Sequence, residues 1–213
     1  MFTGQKRFII PGASVLAIGL ALGSAYLLDF PPFESSVGEI RATRLCDSFG
    51  TKKKAVSSLK SVLPRESEYS FKETPGTRVG SDGSSYTSDC FVWGDDKILL
   101  SVRTEMMRAE PPEGWIRSEV LDTAGSRRGL KGFQAGDEGV ASSSRAGIFV
   151  PCVPAGQIPG GKYNLSVIVK LKQKGDSSDS EARAALRELA VGAAGFAHRD
   201  ARCDLPAKLS GDS

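Results

Sequence analysis

The chain has 213 residues, of which 40% are hydrophobic and 25% charged, an ordinary globular balance that excludes wholesale disorder and a multi-span membrane protein. Its net charge is +3, and two of the positive charges, Lys6 and Arg7, sit at the extreme amino terminus. The remainder is nearly balanced, so nothing points to nucleic acid, which needs a concentrated basic face.

Residues 8–28, FIIPGASVLAIGLALGSAYLL, carry no charge and no strongly polar side chain. At about 1.5 Å rise per residue such a run crosses a hydrocarbon core of about 30 Å. Lys6 and Arg7 before it and Asp29 after it predict residues 1–7 as a cytoplasmic tail and the rest of the chain outside, by the positive-inside rule. A cleaved signal peptide, with Gly23 and Ala25 as the small pair before the cut, is the alternative, and a buried core helix is a third. Either of the first two places residues 29–213 in an oxidising, extracytoplasmic compartment. Ala13, Ala17, Ala21 and Ala25 repeat every four residues, and Gly19 and Gly23 form GxxxG. Small side chains in rows allow close helix approach in lipid, hence a homodimer or a partner helix. Anchors rich in Gly and Ala also show such spacing by chance.

Residues 29–40 read as a linker with two prolines, and 41–205 as one extracytoplasmic domain. A helix is predicted over 51–63, with Val56, Leu59, Val62 and Leu63 on one face and Pro64 as its stop. Lys52, Lys53, Lys54 and Lys60 crowd its other side, a solvated face or an attraction for anionic headgroups and cell-wall polymers. Residues 72–89 read as a Gly/Ser-rich loop. A hairpin follows: 90–93, a turn at Gly94-Asp95-Asp96, and 97–106 with Ile98, Leu100, Val102 and Met106 pointing one way. Phe91 and Trp93 share one face of the first strand, and Trp93 is expected to pack near Cys90 or to line a cleft. Residues 109–117 are a Pro/Gly break in which Trp115 is a candidate exposed contact. The loop 122–133 brings Arg127, Arg128 and Lys131 close together as a second candidate contact. A second hairpin is predicted over 138–144 and 147–153, then a strictly alternating strand over 163–173 with Leu165, Val167, Val169 and Leu171 inward. The last helix spans 179–198 and starts on a capping-box pair, Ser178 and Glu181. Residues 206–213 read as a polar tail. The expected fold is α+β: an antiparallel sheet of about five or six strands with two helices on one face, after one transmembrane helix.

Four cysteines, Cys46, Cys90, Cys152 and Cys203, all follow the apolar run, and none lies in a CxxC pair, which disfavours zinc and thioredoxin-like chemistry. An even count outside the cytoplasm reads as two disulfides. Three pairings are open. The parse above favours Cys46–Cys90 and Cys152–Cys203, since each pair encloses one helix–sheet unit.

Catalytic sets are sparse. The single histidine, His198, ends the last helix, and no GxSxG is present. Gly156–Lys162 matches GxxxxGK by letter, but Tyr163 stands where the Mg²⁺-binding Ser or Thr belongs, and a strand follows instead of a helix. Asp95/Asp96 and Asp137/Glu138 are adjacent carboxylates that turn chemistry explains, a carboxylate hydrolase being the competing reading. Asn164-Leu165-Ser166 fits a glycosylation sequon inside the best strand. No metal site, cofactor or catalytic residue is expected.

The placing of Cys46 before the first helix, Cys90 just ahead of a strand bearing Trp93, and later Cys152 and Cys203 resembles actinobacterial secreted proteins and lipoproteins of unassigned function. The extracellular sensor domains of some bacterial Ser/Thr kinases are similar. The resemblance covers about residues 40–205. It departs in spacing, Cys-x-x-Trp rather than Cys-x-Trp, and in carrying an anchor without a lipidation cysteine. It implies an α+β domain outside the membrane and supplies no catalytic residues. The expectation is a membrane-anchored cell-envelope binding or sensor-like domain, whose partner is a protein or a wall component. The alternatives are an accessory subunit docking through its anchor, and a carboxylate-dependent hydrolase.

Overall fold

A computed structural model describes residues 37–78, 83–121 and 127–209. The apolar run 8–28, with Ala17, Gly19, Ala21 and Gly23, lies outside the described residues. Among the described residues no helix is long and apolar enough to cross a membrane.

Two 3₁₀ turns, Ala42–Arg44 and Asp47–Phe49, lead into helix α1, Lys52–Val62. Then come β1 (Tyr69–Thr74), β2 (Thr87–Gly94) and β3 (Lys97–Arg108). A short helix α2, Pro112–Trp115, runs on as a π turn over Ile116–Val120. Strands β4 (Lys131–Phe133), β5 (Glu138–Ala141), β6 (Arg145–Val153) and β7 (Tyr163–Leu171) follow, and helix α3, Asp179–Asp200, closes the order. The seven strands form one antiparallel sheet in the order β1-β2-β3-β7-β6-β5-β4. The α+β class is therefore as expected, with more strands than expected. The extra strands are β1, which runs into the stretch read as loop, and the three-residue β4.

Helix α1 ends where the sequence dictates: Leu63, next to Pro64, is extended with ψ 148°, because the proline ring excludes the α region from its predecessor. Its inward side is Ala55, Ser58, Leu59 and Val62. Helix α3 starts on the expected capping box, Ser178 Oγ accepting from the Glu181 N–H while the Glu181 carboxylate accepts from the Ser178 N–H. Alanines 182, 185, 190, 193, 194 and 197 make most of its buried stripe, with Leu186 and Leu189. Small residues let the helix lie close to its neighbours, and each fully buried leucine contributes about 1.5–3 kcal/mol. Both helices share the main core with the inward side of the sheet, where Cys90, Val92, Leu100, Val102, Ile148, Val150, Leu165, Val167 and Val169 point.

The opposite face was expected to carry no helix. Instead α2 and its π turn cover the β5–β7 half of it with a second core of Trp115, Ile116, Val120, Leu121, Val140, Phe149 and Ile168. Pro112 sits at the first helical position, where its fixed φ and missing N–H cost nothing, so the Pro/Gly stretch starts a helix rather than breaking one.

The disulfides are Cys46–Cys90 and Cys152–Cys203, the favoured pairing. The first ties the segment before α1 to β2; the second ties β6 to the segment after α3. That segment is not a free tail. Asp204 and Leu205 donate backbone hydrogen bonds to the Cys152 carbonyl, and Leu209 is buried and bridges Ala135. At the other end, the Gly38 N–H donates to the Glu66 carbonyl and Ile40 is buried in the core, so the domain begins inside the stretch read as linker.

Candidate functional site

Strand alternation sends Phe91 and Trp93 to one face of β2 and Cys90 and Val92 to the other. Trp93 therefore does not pack on the Cys46–Cys90 disulfide. It lies half-buried on the sheet face that α2 covers only over β5–β7. A bulge sharpens its placement. Val92 pairs with Leu100 but Trp93 pairs with Ile98, leaving Leu99 as the extra residue of β3. Leu99 and Leu100 are both fully buried, and Ile98 shares the face of Trp93 rather than that of Leu100, against the alternation read from sequence. One inserted residue thus turns the hairpin end, a common device for re-aiming a side chain.

The turn beyond the bulge is Asp95-Asp96, with φ of 44° and 65°, the left-handed pair that a two-residue hairpin requires. Asp95 reaches back to the segment entering β1: Ser67 Oγ donates to its Oδ1 at 2.7 Å and the Glu68 N–H at 3.3 Å. These bonds, Ser67 foremost, hold the Asp95 carboxyl below its usual range. The neighbouring Glu66 is pushed the other way, first by its hydrogen bond to Asp95 and then by desolvation.

Between this loop and the sheet lies an open cavity of about 670 Å³. It is lined by Trp93, its one aromatic, and by Ser70, directly opposite Trp93 in the ladder. Lys72, Glu68, Asp95 and Asp96 rim it. Among the described residues no hydrogen bond or ion pair engages the side chains of Lys72, Glu68 or Asp96.

The residues singled out from sequence fall elsewhere. Trp115, expected as an exposed contact, is fully buried: its indole N–H donates to Ser166 Oγ at 2.8 Å and its ring stacks on Phe149 with centroids 5.1 Å apart. Gly147 supplies the room, since a Cβ there would stand 3.1 Å from the indole. Of the basic loop, Arg127 is paired with Glu113 of α2, and Lys131 opens β4 opposite Ala141; both are exposed, as is Arg128. Trp115 and these cations form no common surface, because the indole has none.

Asp137 and Glu138 stand in different surroundings. Burial raises the carboxyl of Asp137, but hydrogen bonds from Lys162 (2.7 Å), Lys208 (2.8 Å) and Asn164 (3.0 Å) outweigh it and hold the group at about 2. A carboxylate so engaged is a poor base. Glu138 is shifted upward, by burial first and Glu113 second. Lys162, the lysine of the GxxxxGK match, thus serves Asp137. Asn164 of the sequon is buried, which withholds it from a glycan. The His198 ring nitrogen Nε2 meets the Leu205 carbonyl at 2.7 Å, tying α3 to the segment behind it. Among the described residues no group of His, Cys, Asp and Glu could hold a metal ion.

One sequence signal bears on the Trp93 cavity. Trp93 stands three positions after Cys90, and in a strand an odd offset means opposite faces.

No family model, no curated protein and no solved structure matches the chain.

Proposed function

We propose that the protein is a membrane-anchored extracytoplasmic domain that binds a ligand in the Trp93 cavity and performs no chemistry on it. The observation carrying this reading is the cavity itself: an aromatic lining, and charged groups of both signs, of which Lys72, Glu68 and Asp96 are engaged by no other described side chain. Sites that fix a small ligand combine an apolar wall with a few convergent polar groups in this way. The two disulfides support the compartment, since such bonds persist where the environment is oxidising. The apolar run after Lys6 and Arg7 supports the anchor and its orientation. The four-cysteine layout supports kinship with envelope domains of the actinobacterial type.

The test is ¹⁵N-labelled full-length protein in detergent micelles, challenged with fractions of a cell-envelope extract. Its two tryptophans, Trp93 and Trp115, give two indole N–H resonances. A fraction that moves the Trp93 resonance and leaves Trp115 in place is the expected result. Fractions that move neither refute the binding site, and turnover of a bound component refutes the absence of chemistry. The Ala17/Ala21 and Gly19/Gly23 rows favour a second reading, an accessory subunit docking through its anchor. Gly19→Leu with Gly23→Leu then abolishes a crosslinked membrane complex, and an unchanged pattern removes the idea.

A further inference from the structure

We infer that the ligand of the Trp93 cavity is an organic cation, an alkylammonium group seated on the indole face between Asp96 and Glu68. The inference rests on the cavity being the ligand site and names the chemical class it takes.

Three observations converge. First, the charges are unequal: Glu68, Asp95 and Asp96 face a single ammonium, that of Lys72. Second, the acidic side of the cavity is crowded. Glu66 adds a further carboxyl hydrogen-bonded to Asp95, and that bond, ahead of desolvation and of the Asp95 charge, shifts it upward. Lys97 opposes that shift only weakly. Third, an indole face attracts cations through its quadrupole, and Trp is the best of the aromatic rings at it. Among the described residues the cation over a ring is Arg187 on Phe133, at 4.8 Å, and no side-chain cation lies over Trp93. A wall that attracts positive charge and a rim in carboxylate excess select the same ligand. A neutral sugar would use the ring and leave the excess negative charge unanswered. An anion would meet that charge directly.

The source of the ammonium is a free small amine or one displayed on a longer chain, and the experiment separates them. Full-length protein in micelles is titrated with choline as the free cation and with the tripeptide Gly-Lys-Gly as the chain-borne one. The neutral carbon isostere of choline, 3,3-dimethylbutan-1-ol, is the control, and the readout is the Trp93 indole resonance. The expected result is a saturable shift with at least one cation and none with the isostere. The tighter of the two cations identifies the source. Asp96→Asn should weaken that binding about threefold or more. This variant spares the fold, because Asp96 is an exposed turn residue with no described partner and Asn tolerates its left-handed backbone. Glu68→Gln should act in the same direction, and added salt should weaken binding further. Trp93→Leu, which removes the reporting indole and is therefore followed by titration calorimetry, should cost about fivefold or more.

Equal shifts with choline and its isostere, or binding indifferent to Asp96→Asn and Glu68→Gln together, overturn the cation assignment. No response to either cation, with an envelope fraction still moving Trp93, overturns the ligand class and leaves the binding reading standing. No response to cations or envelope fractions overturns both.

Discussion

Replacing Trp115 with alanine separates a core residue from a contact residue. The indole is fully buried, stacks on Phe149 and donates to Ser166. At about 25 cal/mol per Å², an indole hiding about 200 Å² contributes about 5 kcal/mol. Measured truncations of buried aromatic residues fall at about 3–5 kcal/mol, because the cavity relaxes only in part. Against a usual total of about 5–15 kcal/mol, such a loss leaves the fold marginal. Trp115→Phe removes less. It keeps the stacked ring and strands the buried Ser166 hydroxyl, a loss of about 1–3 kcal/mol. Urea unfolding of the full-length protein in micelles, followed by far-ultraviolet circular dichroism, measures both. The Trp93 resonance then asks whether Trp115→Phe still binds ligand, and it should. A loss below about 1 kcal/mol for Trp115→Ala refutes the packing argument. A Trp115→Phe variant of unchanged stability that no longer binds ligand restores the indole as a contact.

Two further outcomes follow from groups far from the cavity. Asp137 has its carboxyl lowered from 3.8 to about 2, so its hydrogen bonds contribute about 2 kcal/mol at neutral pH. A depressed carboxyl contributes fully above its unfolded value and loses that contribution as the pH falls from about 4 to about 2. Asp137→Asn should therefore flatten the acid limb of stability in that window and lower stability at pH 7; an unchanged limb refutes the assignment. Reduction of the disulfides, which span 44 and 51 residues, should cost about 4 kcal/mol each by restriction of the unfolded chain. Peptide mapping without reductant should recover Cys46 joined to Cys90 and Cys152 joined to Cys203, and crossed pairs would overturn the fold described here.

Regular patterns were legible in the sequence, and local irregularities were not. The alternation from Leu165 to Leu171 and the Ser178/Glu181 cap predict β7 and α3 because one interaction repeats along each of them. Strand β1, Tyr-Ser-Phe-Lys-Glu-Thr, is short, runs into Pro75 and Gly76, and has two aromatic residues, the buried Tyr69 and the half-buried Phe71, to mark its inward side. Its pairing with β2 is a tertiary fact. The bulge at Leu99 shifts alternation by one residue, so any periodic reading of β3 carries Ile98 to the wrong face. Trp115 was misjudged because its neighbours, two prolines and a glycine, read as a loop. The Pro112 start of a helix is visible only once the helix has a surface to cover. The candidate site was obscured for a related reason: Ser67 and Glu68 stand far from Trp93 in sequence, and the Asp95 turn joins them.

The two disulfides join cysteines that are consecutive in the chain, first with second and third with fourth. A polypeptide that emerges amino terminus first presents Cys46 and Cys90 to an oxidant before Cys152 has appeared. Where oxidation keeps pace with emergence, that earlier pair is joined before Cys203 follows. Joining thiols in order of arrival thus yields the native connectivity, and a thiol left waiting has no wrong partner within reach. A connectivity of this kind forms without a disulfide-shuffling isomerase wherever thiols are joined in order of arrival. Interleaved bridges would have required one.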